Sequence, residues 1–186
     1  MPTVEGLNPI IDNNARILIL GSMPSTESLR KSEYYGNLKN QFWRVIFSIF
    51  DSVLETSYMA KTSFLKGKRI ALWDVIRSCD REGSSDSKIT QVSINDFNSI
   101  LETYPKIKHL CFNGQKAFTI FQKRVKLNAS SQITLTALPS SSPANARMSI
   151  EAKIREWAII KTFLFNWLSK NLRNKIVLCR NGRAGF

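Results

Sequence analysis

Two stretches of the 186-residue sequence concentrate small, polar and proline residues just after an apolar run has ended. The first is GSMPSTESLRKSEYYGNLKNQFW, residues 21–43, and the second is LPSSSPANA, residues 138–146. Small residues let backbone amides approach a phosphate or a base closely, and prolines fix the shape of a loop before a ligand binds. Both stretches are therefore candidate binding loops, although ordinary tight connections have similar compositions.

Neither loop contains a cysteine or a histidine, so neither holds a strong nucleophile. The single histidine, His109, lies within an apolar run and is expected in the core rather than in acid–base chemistry. Cys79, Cys111 and Cys179 are far apart and form no CxxC pair. The sequence therefore predicts no zinc or iron–sulfur site.

Four short apolar runs predict the strands that position these loops: RILIL (16–20), RIALWDV (69–75), IKHLCF (107–112) and QITLTAL (132–138). Between them, apolar residues recur at helical spacing from Phe42 to Val53 and again from Gln115 to Lys123. Asn95 is expected to cap a helix that Pro105 ends, and residues 78–87 are expected to form a loop. Ser149 is expected to cap a long helix with these residues inward: Ile150, Ile154, Trp157, Ile160, Leu164 and Leu168.

Strands that alternate with helices predict a three-layer α/β/α sandwich with a central, mainly parallel four-stranded sheet. Ligands bind beyond the carboxyl ends of the strands in such sheets. The loops at that edge would begin at Gly21, Asp74, Asn113 and Pro139. We expect one domain over residues 1–169 and a basic extension over 170–186, which is either a separate tail or part of that domain.

The chain carries 27 Lys and Arg against 14 Asp and Glu, a formal net charge of +13. This excess favours a polyanionic partner, nucleic acid above all, while ribosomes, acidic proteins or no partner at all remain alternatives. Residues 170–186 contain no acidic side chain and would either lie along phosphates or be solvated. The N-terminal residues lack a basic start and an apolar run, and no stretch reaches the length of a membrane span. We therefore expect a soluble, intracellular protein without a membrane partner, cytoplasmic or, in a eukaryote, nuclear. We also expect a monomer.

The motifs GSMPS, YYG and NxFW, together with LPSSSPANA and the intervening ALWDVI, CDREGS and CFNGQKAF, resemble the uracil-DNA glycosylase superfamily. The resemblance is strongest to its hypoxanthine-DNA glycosylase branch and spans about residues 16–167. It implies the three-layer fold and a DNA substrate, double- or single-stranded, that contains a deaminated base. It also implies extrusion of the target nucleotide and hydrolysis of its glycosidic bond without a metal or organic cofactor. The released base would be hypoxanthine, with uracil as a second candidate.

The resemblance also implies roles for individual residues. Asn40 is the candidate that positions the hydrolytic water, because Met23 stands where mismatch-specific relatives carry a water-positioning Asn. Asn37-Leu38 replaces the more usual His-Pro, which predicts a less rigid loop. Base contacts are expected from Gly21, Ser22, Met23, Tyr35, Asp74 and Asn113. DNA contacts are expected from Lys39, Ser140, Ser142, Pro143, Ala144, Asn145 and Arg147.

Each role has a structural alternative. Tyr35 would stack on the extruded base or pack within its own loop. Asp74 and Asn113 would orient a base or water, or cap the next turn. Residues 142–145 would enter the duplex, or form a turn that leads into a helix. For the whole protein, the alternatives are a non-catalytic nucleic-acid-binding module and a small-molecule nucleosidase.

Overall fold

The computed structural model describes residues 3–81, 90–128 and 132–165. The elements in these residues are, in chain order, β1 (Thr3–Glu5), β2 (Ile17–Gly21), α1 (Thr26–Lys31), α2 (Phe42–Ile49), α3 (Tyr58–Gly67), β3 (Ile70–Asp74), β4 (Ile76–Asp80), β5 (Thr90–Ile94), α4 (Phe97–Thr103), β6 (His109–Asn113), α5 (Gln115–Arg124), β7 (Thr134–Leu138) and α6 (Ile150–Trp157).

The four predicted strands are confirmed and form one sheet. Its order is β3-β2-β6-β7, and every neighbouring pair is parallel. The carboxyl ends of β2 and β3 lie side by side, with Gly21 opposite Asp74, and Asn113 lies opposite Leu138 at the ends of β6 and β7. The residues at which the two binding loops begin are thus gathered at one edge of the sheet.

The side chains of β2 alternate between two hydrophobic cores, one on each face of the sheet. Ile17 and Ile19 pack into a core shared with residues of α2, α3 and α6, whereas Leu18 and Leu20 pack into a core shared with α4 and α5. Because successive strand residues point to opposite faces, a strand that is apolar throughout must be covered on both sides. The three-layer α/β/α sandwich is therefore confirmed.

A second sheet stands where the sequence predicted a loop. Strands β1, β4 and β5 pair antiparallel, in that order, so residues 78–80 belong to a strand. The rest of the predicted loop, from residue 82 on, lies outside the described residues. In β4 only Ile76 and Cys79 are buried, and β5 has no fully buried residue. Backbone pairing rather than apolar alternation defines these strands, which is why the apolar pattern did not indicate them.

Several predicted helix boundaries are wrong. Helix α2 ends at Ile49, the backbone turns left-handed at Asp51 (φ 52°), and Val53 is 90% exposed instead of inward. Asp96, not Asn95, caps α4, because the side chain of Asn95 donates instead to the carbonyl of Asp74 at the end of β3. The short helices α1 and α3 were not predicted.

The predicted C-terminal helix begins as expected, with the Ser149 hydroxyl accepting a hydrogen bond from the amide of Ala152. It is interrupted at Ala158, and helical geometry resumes over residues 159–165. Leu168 and the basic extension 170–186 lie outside the described residues. Within the three described ranges, no helix is both long and apolar enough to cross a membrane.

Candidate active site

A cavity of about 490 Å³ opens at the carboxyl ends of β2, β3 and β6. This volume lies in the range of roughly 300–1,000 Å³ that is usual for small-molecule sites. Every residue expected to contact the base or the water lines it: Gly21, Ser22, Met23, Tyr35, Asn40, Asp74 and Asn113. From the second loop, Ser140, Ser142 and Ala144 also line it. The tertiary structure therefore brings the two loops together around one cavity.

Gly21 makes room for a buried carboxylate at the base of this cavity. Asp74 is 3% exposed, and a Cβ on Gly21 would overlap its Oδ1 atom and lie 3.5 Å from the Tyr35 hydroxyl. A larger residue at position 21 would have to displace a carboxylate held at a strand end. The glycine is therefore required by close approach rather than by backbone conformation.

Tyr35 is held in an unusual backbone conformation. Its φ is 56°, in the left-handed region that is unfavourable for a non-glycine residue. The preceding residue is fixed on both sides, because the Trp43 indole donates to the carbonyl of Tyr34 (3.0 Å) and the amide of Tyr34 donates to the Tyr58 hydroxyl (2.8 Å). One face of the Tyr35 ring stacks on Phe42, with centroids 3.8 Å apart. The conformation thus places a preorganised aromatic ring in the cavity wall.

The Tyr35 phenol is kept neutral by its surroundings. Burial raises the pKa of the Tyr35 hydroxyl, and the negative charge of Asp74 raises it further, while the neighbouring Asn113 amide opposes the shift. The same two causes, burial first, raise the pKa of Tyr34. Neither phenol can therefore act as a phenolate, and Tyr35 contributes a ring face and a neutral hydroxyl.

Ser141 connects the loops that form the cavity, and its side chain is completely buried. Its hydroxyl donates to Oδ1 of Asn40 (2.8 Å) and accepts from Nδ2 of Asn113 (2.8 Å), while its amide donates to Oδ1 of Asn113 (2.8 Å). Its carbonyl accepts from the amide of Gln41 (3.0 Å). Ser141 was not among the predicted site residues, because nothing in a Ser-Ser-Ser run indicates which hydroxyl faces inward.

These bonds fix the orientation of the Asn40 amide. Oδ1 of Asn40 accepts from the backbone amide of Phe42 (2.9 Å) as well as from the Ser141 hydroxyl. Because a backbone N–H can only donate, the atom facing it must be the oxygen, and both lone pairs of that oxygen are engaged. The amide nitrogen, with its two N–H donors, remains for a ligand in the cavity.

The second loop is anchored by a buried lysine that was not predicted. Lys153 is 1% exposed, and its Nζ donates to Oε1 of Gln41 (2.8 Å) and to the carbonyl of Asn145 (2.9 Å). Burial lowers the pKa of this ammonium group. The sequence spacing places Lys153 on the same face of α6 as Ile150, Ile154 and Trp157. A charged residue within this apolar stripe could have indicated a buried lysine.

The residues expected to contact DNA divide between the cavity wall, which includes Ser140, Ser142 and Ala144, and the protein surface. Lys39, Pro143, Ala144 and Arg147 are exposed. Asn145, which is also expected to enter the duplex, donates a hydrogen bond from its side-chain amide to the carbonyl of Ser140 (3.1 Å). Residues 142–145 thus present Pro143 and Ala144 outward, on a turn closed by the loop itself.

His109 lies at the start of β6, whereas the cavity lies at the opposite end of that strand. Its ring stacks on Phe163 with centroids 4.2 Å apart, and burial lowers the pKa of the imidazole. Its position away from the cavity agrees with the prediction that it takes no part in acid–base chemistry. It is only half-buried, however, and so is not the core residue that was predicted. Among the described residues, no group of three or more His, Cys, Asp or Glu side chains could hold a metal ion.

The family model of the uracil DNA glycosylase superfamily matches residues 9–163, a range that contains both loops and the whole four-stranded sheet. The chain belongs to this superfamily. The resemblance noted in the sequence motifs is thereby confirmed, and with it the assignment of the chain as a DNA glycosylase.

Two relatives of this superfamily member are named hypoxanthine DNA glycosylase. The protein from Methanosarcina acetivorans is 42% identical over 157 residues, which cover 84% of this chain and 96% of the relative. The protein from Methanosarcina barkeri is 38% identical over 155 residues, which cover 83% and 95%. The solution NMR structure of a Methanosarcina acetivorans protein assigned to the uracil DNA glycosylases is similar, with a TM-score of 0.75 and 39% identity over 87% of this chain and 99% of that one.

Proposed function

We propose that this superfamily member removes hypoxanthine from DNA by extruding the nucleotide and hydrolysing its glycosidic bond with water, which leaves an abasic site. Uracil is the second base we expect it to accept. We take the substrate to be duplex DNA and the active species to be a monomer. The names of the two relatives support the choice of base, and the cavity supports the chemistry.

The observation that carries the proposal is the locked amide of Asn40. Ser141 and the Phe42 amide occupy its oxygen, so its nitrogen is the group that is left to hold a water molecule or the base. Tyr35 supports a base in the same cavity, because Phe42 covers one face of its ring and the other face is the one on which an extruded base would stack.

Asp74 is the residue we propose to select deaminated bases. Hypoxanthine and uracil carry a lactam N–H at the ring position where adenine and cytosine carry an acceptor nitrogen. A carboxylate accepts hydrogen bonds and cannot donate them. A buried carboxylate in the cavity wall would therefore favour the deaminated base and repel its parent. The positive end of α5, whose first residues line the same cavity, would stabilise negative charge that develops on the departing base.

The glycosidic bond breaks ahead of water attack in this proposal, because the described residues that line the cavity include no cysteine or histidine, and their one carboxylate, Asp74, is assigned to the base. The sugar then passes through an oxocarbenium-like state that DNA phosphates and aligned dipoles stabilise. Lys153 is buried and already donates to two oxygen atoms, whereas Lys116 lines the cavity at the start of α5. The proposal assigns neither amine a role as nucleophile, so the strand should remain intact after the base is released.

The test is to incubate labelled duplexes that carry one hypoxanthine, uracil or xanthine, and to treat them with alkali or with buffer alone. The proposal expects base release from hypoxanthine DNA, with strand breaks that depend on alkali. Borohydride added during turnover should trap no protein–DNA crosslink. Binding without release of any base would instead indicate a non-catalytic nucleic-acid-binding module, and a hypoxanthine-dependent crosslink would contradict the water mechanism.

A further inference from the structure

Arg81 is a buried arginine that lies behind the cavity wall rather than in it. It follows β4, is 2% exposed, and donates from Nη2 to the carbonyl of Pro24 (2.7 Å) across 57 positions of sequence. Among the described residues, no acceptor lies within hydrogen-bond distance of its Nε or Nη1 atoms. Burying a guanidinium is unfavourable, and an apolar residue of similar size would fill the same space more favourably. What the guanidinium adds is therefore the bond to Pro24.

This bond continues a row of donors along the back of the first loop. The first two carbonyls of the loop accept from the amides of Val75 and Ile76, where β3 joins β4 (2.9 and 3.0 Å). The carbonyl of Pro24 is held by a side chain instead, in a charge-assisted bond that is stronger than one between neutral groups. Because the three donors come from one continuous segment, residues 75–81, they hold the loop against that segment by its carbonyl oxygens.

The orientation of the Pro24 carbonyl decides where the next amide points. A trans peptide bond places its N–H opposite its C=O, and the bond between Pro24 and Ser25 is trans. The amide of Ser25 therefore points away from Arg81. Pro24 and Ser25 both line the cavity and Arg81 does not, so this amide lies on the cavity side of the loop.

Ser25 also begins a chain of hydrogen bonds that leads to the aromatic ring in the cavity wall. Its hydroxyl donates to the buried hydroxyl of Ser28 (3.0 Å), which in turn accepts from the amide of Gly36 (3.1 Å). Gly36 directly follows Tyr35, whose left-handed backbone conformation has to be held by its surroundings. A shift of Pro24 would thus be passed to Tyr35 through Ser25 and Ser28.

We propose that Arg81 is a positioning residue for base release, which acts through Pro24 and Ser25 on the ring of Tyr35. It holds the first loop in the shape that turns the Ser25 amide and the Tyr35 ring to the extruded base. This inference rests on the proposed release of hypoxanthine. Arg81 itself is buried and contacts neither the base nor a phosphate. Its loss should therefore lower the rate of bond cleavage and leave the affinity for DNA nearly unchanged.

The experiment compares wild type with Arg81→Met, Arg81→Leu, Arg81→Lys and the control Ile107→Ala. Ile107 is 1% exposed and lies just before β6, at the end of the sheet opposite the cavity, so its truncation lowers stability without touching either loop. Single-turnover release of hypoxanthine from a duplex is measured over a range of enzyme concentrations, at a temperature well below every melting temperature. Two apolar variants are used so that the test does not depend on the folding of one.

Arg81→Met and Arg81→Leu should lower the maximal rate about tenfold to a hundredfold, the scale of misplacing a reacting group by about 1 Å. The enzyme concentration that gives half of the maximal rate should change by about twofold at most, because no phosphate contact is lost. Arg81→Lys keeps a charged donor and should be about threefold or more faster than Arg81→Met. Ile107→Ala should keep the wild-type rate despite its lower melting temperature.

Three results would overturn the proposal. The first is a maximal rate within about twofold of wild type in the apolar variants, well short of the loss expected for a misplaced group. The second is an equal loss of rate in Ile107→Ala, which would assign the effect to stability. The third is an Arg81→Lys variant no faster than Arg81→Met, which would show that the donor to Pro24 is not what matters.

A second measurement does not depend on catalysis. Amide hydrogen exchange, followed by NMR, should become about tenfold or more faster at Gly36 in Arg81→Met, because the Ser28 hydroxyl that accepts from this amide is no longer held in place. The amide of Asn145, which donates to Ser142 within the second loop, should exchange as in wild type. Unchanged exchange at Gly36 would overturn the inference. If wild type releases no hypoxanthine, the proposed function fails, and exchange at Gly36 still decides whether Arg81 holds the loop.

Discussion

The buried hydroxyl of Ser141 donates a 2.8 Å hydrogen bond to the side-chain oxygen of Asn40, across 101 positions of sequence. This bond joins the two loops of the cavity. The same oxygen also accepts from the Phe42 amide, so two hydrogen bonds fix the orientation of the Asn40 amide. One of them comes from its own loop and the other from Ser141 in the second loop. Ser141 is therefore a positioning residue that acts through Asn40 and Asn113.

Replacing Ser141 with alanine tests this dependence. The variant should lose about tenfold to a hundredfold in single-turnover rate, the scale of misplacing a reacting group by about 1 Å. It should also lose about 1–3 kcal/mol of stability, because a buried Asn113 donor loses its acceptor. Ser52→Ala removes a hydroxyl that bonds to the carbonyl of Phe50 away from the cavity, and serves as the control. A Ser141→Ala rate within twofold of the control would show that Asn40 needs no such support.

The donor role of Asn40 is tested by Asn40→Asp. An aspartate can accept the same two hydrogen bonds from Phe42 and Ser141 but offers no N–H to the cavity. We expect a folded protein that releases hypoxanthine at least a hundredfold more slowly, as when one preorganised polar contact is removed. Asn40→Ala should lose activity too. Because it also removes the hydrogen-bond acceptor at the start of α2, it should cost about 1 kcal/mol of stability as well. Near-normal rates for the aspartate variant would mean that an acceptor, not a donor, is needed.

Lys39, in the first loop, and Arg147, just after the second loop, are exposed and are expected to contact phosphates. Replacing either with glutamine should lower the slope of log affinity against log salt by about 0.9, the value for one lost phosphate contact on duplex DNA. Lys108→Gln is a matched control, because Lys108 is exposed at the amino-terminal end of β6, opposite the cavity. Binding is measured with undamaged duplex over a range of salt concentrations. A control variant that lowers the slope equally would assign the effect to net charge rather than to phosphate contacts beside the two loops.

His109 should affect acid stability and not catalysis. Burial lowers the pKa of its imidazole from the usual 6.5, so the unfolded chain takes up the proton first as pH falls. The contribution of the neutral His109 imidazole to folding stability is therefore present above pH 6.5 and is lost below it, as the pH approaches the pKa of the folded state. His109→Phe keeps an aromatic ring against Phe163. Between pH 6.5 and 5, its melting temperature should fall less than that of wild type. Its rate at pH 7.5 should equal that of wild type, and a large loss of rate would instead give the imidazole a catalytic role.

The sequence by itself determined the four parallel strands and the places where the binding loops begin. Apolar runs such as RILIL are local signals, and a strand that is apolar on both faces has to lie between two layers of helices. The motifs of the two loops likewise indicated the superfamily and residues that line the cavity. By contrast, β4 and β5 escaped prediction because their strand structure depends on backbone pairing partners that are distant along the chain.

Only the tertiary structure decided how the site is held together. Residue type does not reveal which side chains meet when the chain folds. It does not show that the Ser141 hydroxyl faces inward, that Lys153 donates to two acceptors, or that no other segment covers Leu38. Ser140, Ser141 and Ser142 are chemically identical in sequence, yet only Ser141 is completely buried between two asparagine side chains. The physical reason is that a hydrogen bond is short and directional, so its partner is set by where the folded backbone places each atom.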